Sequence, residues 1–431
     1  MRSIARRQLL WAIGAVALSP SLRLRVASAQ TAPAPRTLVV VFQRGAVDGL
    51  SMVVPYAEPS YQRDRPRIAI PPPGRGDGSA IDLDGRFGLH PRLAALQPLW
   101  RSGELAVIHA VGPAEATRSH FDAQHFFEVG SFEPSRSVDG FLSRALASRP
   151  HAPTDLRGVA MGEAVPELLR GALPCVAIDD LARYGLQAAR DDVRARLEGA
   201  FGELYAAGGD SIATGGRAAL ATAARLREVG RAAASPMNGA TYPRGRVGRS
   251  LQQLAALLRA GVGVEVACVE TGGWDTHTAQ GDGRQGRLPG LLDELGSSLA
   301  AFRRDLGERM RDVLVLTVTE FGRTVAENGT GGTDHGHGSA VFALGGAVRG
   351  GQVLGRWPGL DPAHRFEGRD LAVTTDVREL FAEALREHMG LGDLSGVFPG
   401  YTPGRGLGLF REIAPAAVSS AMSAAPRSSD L

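Results

Sequence analysis

Cysteine is nearly absent from this chain of 431 residues: only Cys175 and Cys268 occur, far apart and both in apolar surroundings. That excludes a disulfide-rich scaffold, a thiolate zinc cluster and a c-type haem site, and leaves either one bridge or two buried thiols. Aromatics suited to sugar stacking are scarce as well, with 4 Trp and 6 Tyr, which argues against a lectin-like surface. No cluster of basic residues with interleaved aromatics occurs, and the formal charge of +3 shrinks once the N-terminal arginines are set aside, so no nucleic-acid partner is expected. Beyond the first thirty residues, no stretch is long and apolar enough to cross a bilayer.

Those first thirty residues read as an address. Arg2, Arg6 and Arg7 form a positive start, the run Leu9 to Leu22 is mostly apolar, and Ala27-Ser28-Ala29 is a small-x-small cleavage site. Arg6-Arg7 followed by Gln8, Leu9 and Leu10 resembles a twin-arginine export signal, with Ala5 where Ser or Thr is usual and Trp11 where Lys is common. A retained anchor is the other reading, but the run is about 14 residues long and contains Pro20, short of the roughly 20 needed to span a bilayer. The expectation is a signal peptide over 1–29, a linker over 30–36, and a mature protein that is periplasmic or secreted without stable membrane insertion.

About 400 residues remain, and their pattern alternates. Apolar, β-branched runs predict strands at Thr37–Phe42, Leu105–His109, Val264–Val269, Val313–Thr319 and Ala340–Leu344. Helical spacing follows His90, and helices are expected at Val247–Ala260, Leu291–Leu306 and Val377–Met389. Strands alternating with helices of this length predict an α/β domain with a doubly wound, mostly parallel sheet over 37–413. Between about 181 and 240 an Ala/Arg/Leu/Glu-rich stretch predicts a helical insertion of two or three amphipathic helices, and the Ala/Ser/Pro tail over 414–431 is expected to be disordered.

Chemistry-bearing residues concentrate in the loops after these strands, where ligands bind in such folds. The first such loop holds Arg44 and Asp48; the second Thr117-Arg118-Ser119-His120-Phe121-Asp122; the third Asp275 and His277; the fourth Glu320 and Arg323; and Asp334-His335-Gly336-His337 leads into the last strand. Imidazoles mixed with carboxylates suit a divalent metal better than a Ser-His-Asp triad, which would leave most of them without a role. Zinc, manganese or calcium is expected, held by Asp48, Asp275, His277, Glu320, Asp334, His335 and His337 or a subset. Each has a plainer alternative: a tight turn for 334–337, an Asx-turn or helix cap for Asp275, a turn for Asp48. Ser119 stands where a helix begins, as an ordinary N-cap or as a hydroxyl at an oxyanion site. Arg118, Arg323 and Arg44 are candidates for clamping a phosphate or sulfate. His90 and His109 read as structural, and His151, His364 and His388 as linker or surface residues.

The motifs V-V-F-Q-R-G-A-V-D-G-L-S, T-R-S-H-F-D-A-Q, G-G-W-D-T-H, T-E-F-G-R-T and G-T-D-H-G-H-G occur in this order. Together they resemble the bacterial twin-arginine-exported family known as domain of unknown function fifteen-oh-one, over roughly Thr37 to Phe410. The resemblance implies the alkaline phosphatase/sulfatase-like superfamily, with a bimetal site at the strand ends. It implies that Asp48 is the metal-binding Asp after the first strand, Ser119 the nucleophile, Asp275 and His277 later ligands, and His337 the final His ligand. The sequence departs from that pattern where only Thr276 separates Asp275 from His277, and where Glu320-Phe321 replaces the usual Asp-His, which allows a one-metal site or an altered one in which Asp334-His335 compensates.

The function these readings predict is metal-dependent hydrolysis of a phosphate or sulfate ester, on a small molecule or a polysaccharide. Ser119 or a water would be the nucleophile. The alternative is a non-catalytic exported binding or assembly protein that keeps the fold.

Overall fold

Thr37–Gln43 is rich in β-branched and aromatic residues and shows no polar alternation, a pattern stable only where both faces of a strand are covered. In the computed structural model, which describes residues 35–132, 139–149, 156–188, 190–232 and 235–411, this segment is β1, and all seven of its residues are buried. β2 (Val53–Val54), β3 (Ile81–Asp82) and β4 (Gly88–Leu89) make a small separate sheet. The main sheet adds β5 (Leu105–Gly112), β6 (Gly158–Met161), β7 (Cys175–Ala177), β8 (Val266–Thr271), β9 (Val313–Val318), β10 (Ser339–Gly345), β11 (Val353–Leu354) and β12 (Thr375–Asp376). Its order is β11-β5-β10-β9-β1-β8-β6-β7, and β12 also pairs with β5.

Every pairing in that sheet is parallel except those of β10, which runs antiparallel to both β5 and β9. The protein is therefore mixed α/β with a mostly parallel central sheet. The reversal of β10 matters for the site. It puts the loop entering β10 at the same end of the sheet as the loops leaving β1, β5, β8 and β9.

Successive β1 side chains point to opposite faces, as the period of a strand requires. Val39 and Val41 join an apolar cluster with Leu254, Leu258, Leu292 and Leu299. Leu38, Val40 and Phe42 join another with Phe127, Phe141, Phe381 and Leu385. Helices α1 (His120–Val129), α2 (Phe141–Ala147) and α7 (Val377–Glu383) thus cover the second face. α5 (Arg246–Arg259) and α6 (Arg287–Leu306) cover the first. Between these, α3 (Asp191–Ala206) and α4 (Ser211–Ala232) occupy the stretch expected to be a helical insertion; α4 buries Leu226 and Val229, while α3 has no buried residue.

Several details differ from the sequence reading. β6 and β7 were not expected, and the stretch from Ser51 to Gly88, read as loop, holds a short helix (Pro59–Asp64) and the small sheet. Cys175 and Cys268 are both free thiols, half-buried and buried respectively. His388 is not a surface residue: its ring is buried against β1, Nε2 donates to the Thr37 carbonyl at 3.1 Å, and burial pulls its pKa down to about 4. Among the described residues no helix is long and apolar enough to cross a membrane. The expected signal peptide, the expected disordered tail and His151 lie outside the described residues.

Candidate metal centre

Two glycines show why the site loops can meet at the end of the sheet. Gly45, directly after β1, has φ +115°, and a Cβ there would sit 2.7 Å from the Asp275 amide nitrogen, so the first loop can touch the third only through glycine. Gly336 lies against the Arg323 backbone, where a Cβ would come within 2.3 Å, and Arg323 pairs with His335 in an isolated antiparallel bridge. The Asp-His-Gly-His run is thereby stitched to the loop after β9. Trp274, fully buried, anchors the loop after β8 and leaves Asp275 and His277 at its rim.

Three imidazoles converge there. His120 Nε2 lies 3.0 Å from His335 Nε2, and His277 Nε2 lies 2.9 Å from the same atom. Asp275 faces all three, with Oδ1 3.0 Å from His277 Nε2 and 3.4 Å from His335 Nε2, and Oδ2 3.7 Å from His120 Nε2. His120, Asp275 and His335 each offer a ligand atom within 4.8 Å of the others.

The other ring nitrogens decide the tautomers. His120 Nδ1 donates to Glu320 Oε1 at 2.8 Å, His277 Nδ1 to Asp334 Oδ1 at 3.0 Å, and His335 Nδ1 to the Arg118 carbonyl at 2.8 Å. Carboxylate and carbonyl oxygens only accept, so each Nδ1 carries a hydrogen, and in the neutral ring each Nε2 presents a lone pair. Arg323 Nη1, 3.4 Å from His277 Nε2, is a donor facing that lone pair. Lone pairs from three rings and a carboxylate directed at one another repel unless a cation lies between them, and one proton can bridge only one pair. Fixing a ligand imidazole through its far nitrogen is how proteins prepare a metal site. Nitrogen ligands around a tetrahedral zinc lie about 3.3 Å apart given usual zinc–nitrogen lengths, close to the spacing here. The donor set of three imidazoles and a carboxylate fits zinc or a similar divalent ion.

Local electrostatics keep the carboxylates ionised. Burial pushes Asp275 upward, but the hydrogen bond and charge of Arg323, with His277 and His120, more than reverse this and hold it below the usual range. Glu320 is likewise raised by burial and then lowered further by hydrogen bonds from His120, Gln124 and the Gly45 amide. Its bond to Glu320 raises His120, whereas burial lowers His335, helped by the charges of His120 and Arg323. His335 is therefore neutral at physiological pH, the form a metal ligand requires.

Of the residues expected from sequence to hold metal, the structure brings Asp275, His277 and His335 together and sets Asp334 and Glu320 behind them as partners of ring nitrogens. Asp48 and His337 stand elsewhere. Asp48 is fully buried in a two-oxygen pair with Arg65, at 2.6 and 3.0 Å, and also accepts from Gln280 at 2.7 Å. Its oxygens are occupied. His337 donates from Nε2 to the Pro113 carbonyl at 2.9 Å and packs on Phe366.

The arginine expectations are revised too. Arg323 is 1% exposed and donates to the carbonyls of Ala46, Gly45 and Thr333 and to Asp275, leaving no free fork for a substrate. Arg44 is held by Glu128, Glu270 and Gln124. Arg118 remains partly exposed, paired with Glu367 and Asp370 at 2.5 and 2.9 Å. Ser119 is the N-cap of α1, its Oγ accepting from the Asp122 amide at a long 3.4 Å.

His120 is the residue the sequence reading passed over. It was visible beside Ser119 in the second loop, and its place at the first position of α1 turns its ring back over the loop after β9, where it stacks on Phe321.

The family model described as "Protein of unknown function (DUF1501)" matches residues 132–397, well over half of the chain. The chain belongs to the DUF1501 family. No curated protein matches it. Among solved structures, this DUF1501 chain is similar to the zinc complex of the C-terminal periplasmic domain of EcEptC from Escherichia coli. The identity is 9% and the TM-score 0.33, over 73% of this chain and 74% of that one. It is also similar to the phosphonate monoester hydrolase of Agrobacterium radiobacter, at 12% identity and TM-score 0.31, over 86% of this chain and 79% of that one.

Proposed function

We propose that this protein is an exported metal-dependent hydrolase of phosphate or sulfate esters with an alkaline phosphatase-like arrangement. In this reading His120, His277, His335 and Asp275 hold one divalent cation. The observation that supports it most is the convergence of three imidazole Nε2 lone pairs, each ring fixed through Nδ1. When bound, a divalent cation there supplies Lewis-acid charge for an ester oxygen. The remaining roles fall to the chain. Asp334, Glu320 and the Arg118 carbonyl hold the rings in the right tautomer, and Arg323 orients Asp275. In this reading Ser119, at the N-terminus of α1 and only loosely engaged with the Asp122 amide, acts as the nucleophile. Arg118, partly exposed, can meet an anionic oxygen if the exposed Glu367 gives way. Export rests on the N-terminal arginines and cleavage site, and the same reading keeps 37–413 as one domain with its helical insertion.

The test is Ser119→Ala, assayed on aryl phosphate and aryl sulfate esters with metal content measured in parallel. Loss of turnover on the order of a thousandfold or more, with metal retained, is expected. Unchanged turnover would remove Ser119 from the mechanism and leave water as the nucleophile. A metal-replete wild type that hydrolyses neither ester would favour the non-catalytic binding protein instead.

A further inference from the structure

A second concave site lies at the other end of the sheet. Arg36 precedes β1, Arg311 and Asp312 precede β9, and Arg349 follows the reversed β10, so all border the end where the parallel strands begin. With residues after α7 and near the end of the described chain they line a cleft of about 720 Å3, within the range of small-molecule sites. Six arginines face three carboxylates in it. The chain has no lysine at all, so every basic group here is a planar guanidinium.

The carboxylates do not neutralise the arginines. Glu383 is buried and accepts from the backbone amides of Leu407 and Leu409. Asp312 pairs with Arg311 at 3.4 Å. Arg36 donates to the carbonyls of Glu387 and His388, Arg386 to that of Gly404, and Arg411 to that of Gly103. Those acceptors are uncharged, which leaves Arg36 and Arg411 fixed in place with their charge uncompensated among the described residues, while Arg386 also lies 4.0 Å from Glu379. The guanidinium groups of Arg349 and Arg405 have no hydrogen-bond or ion-pair partner among the described residues. His388, neutral in its buried setting, stacks parallel to Phe410 and adds no charge.

We propose that this cleft binds a phosphate-bearing anion, with Arg349 and Arg405 as its free contacts. A guanidinium fork matches both carboxylate and phosphate. An excess of positive charge in one concavity suits a multiply charged phosphate better than a single carboxylate. The volume leaves room for more than the phosphate itself, so the group belongs either to a soluble phosphorylated molecule or to a lipid headgroup. The site is separate from the metal centre and does not depend on the hydrolase reading.

The experiment titrates inorganic pyrophosphate into the full protein by calorimetry. It is run on the wild type, on His335→Ala to remove anion capture at the metal centre, and on Arg349→Ala/Arg405→Ala. In parallel, co-sedimentation is measured with vesicles of phosphatidylglycerol and of phosphatidylcholine. Binding that persists in His335→Ala and weakens at least tenfold in the double arginine variant is the expected result and identifies a soluble phosphate. Selective co-sedimentation with phosphatidylglycerol, lost in the double arginine variant, would support the same site with a headgroup as its source. Absence of both kinds of binding, or binding that the double substitution leaves unchanged, overturns the proposal. Should the alanine variant unfold, Arg349→Lys/Arg405→Lys keeps charge without the fork and is expected to lose affinity severalfold; full retention overturns the assignment of these side chains.

Discussion

Asp48→Ala is expected to lower stability by about 3–5 kcal/mol, the cost of leaving one partner of a buried ion pair alone. Both side chains of the pair are 0% exposed. Arg65 spends its donors on Asp48, Ser51 and the carbonyls of Val325 and Thr324, while Gln280 ties Asp48 to Thr276 and Thr333. Removing the carboxylate strands a guanidinium in an interior that offers no other anion, and it loosens the loops after β1, β8 and β9 together. The expected readout is a thermal midpoint lowered by roughly 5–10 °C. Asp48→Ala/Arg65→Met should recover much of the loss, because replacing both charges removes the desolvation penalty along with the attraction. If Asp48→Ala is instead as stable as the wild type and only metal content falls, Asp48 is a ligand and its pairing with Arg65 is not what holds it.

The second large effect is expected at His335. Its Nε2 is the atom shared by both close nitrogen contacts, so His335→Ala opens the cluster at its middle. Metal affinity should fall by more than the roughly 10–100-fold typical of losing an outer partner. The linked readout is thermal. In the wild type, metal at about a hundred times its dissociation constant should stabilise the fold by about 2.7 kcal/mol over chelated protein, and in His335→Ala that difference should vanish. A variant that still gains stability from metal would place the ion elsewhere.

Much of the architecture was legible in the chain because a buried parallel strand announces itself. Thr37–Gln43 and Val313–Val318 are continuous apolar runs, and the helices at 246–259 and 287–306 carry clear helical spacing. β6 and β7 were not legible: Gly158–Met161 and Cys175–Ala177 are four and three residues long, too short for periodicity to register, and are strands only because β8 offers an edge to β6 and β6 one to β7. Nor does any local signal in Ser339–Gly345 reveal that β10 runs backwards. Direction is decided by pairing partners distant in sequence.

The site divides in the same way. Asp275, His277 and His335 could be named from loops after strands, since residue type and position already point to ligation. Asp48 misled because an Asp before glycine at the end of the first strand looks the same whether it faces a metal or a buried arginine, and Arg65 lies in a stretch that reads as loop. Arg323 misled for a related reason: only the packed structure shows the backbone carbonyls and the Asp275 carboxylate that surround its guanidinium. His120 was hidden by its neighbour, since the hydroxyl of Ser119 offered a ready explanation for the loop.

The most direct test of the account is anomalous diffraction from crystals of the protein purified without a metal affinity tag, collected at the absorption edge of whichever metal elemental analysis finds. One strong peak is expected, bounded by Nε2 of His120, His277 and His335 and the carboxylate of Asp275. A peak beside Asp48 or His337, or none at the three histidines after soaking in zinc, manganese or calcium, would contradict it.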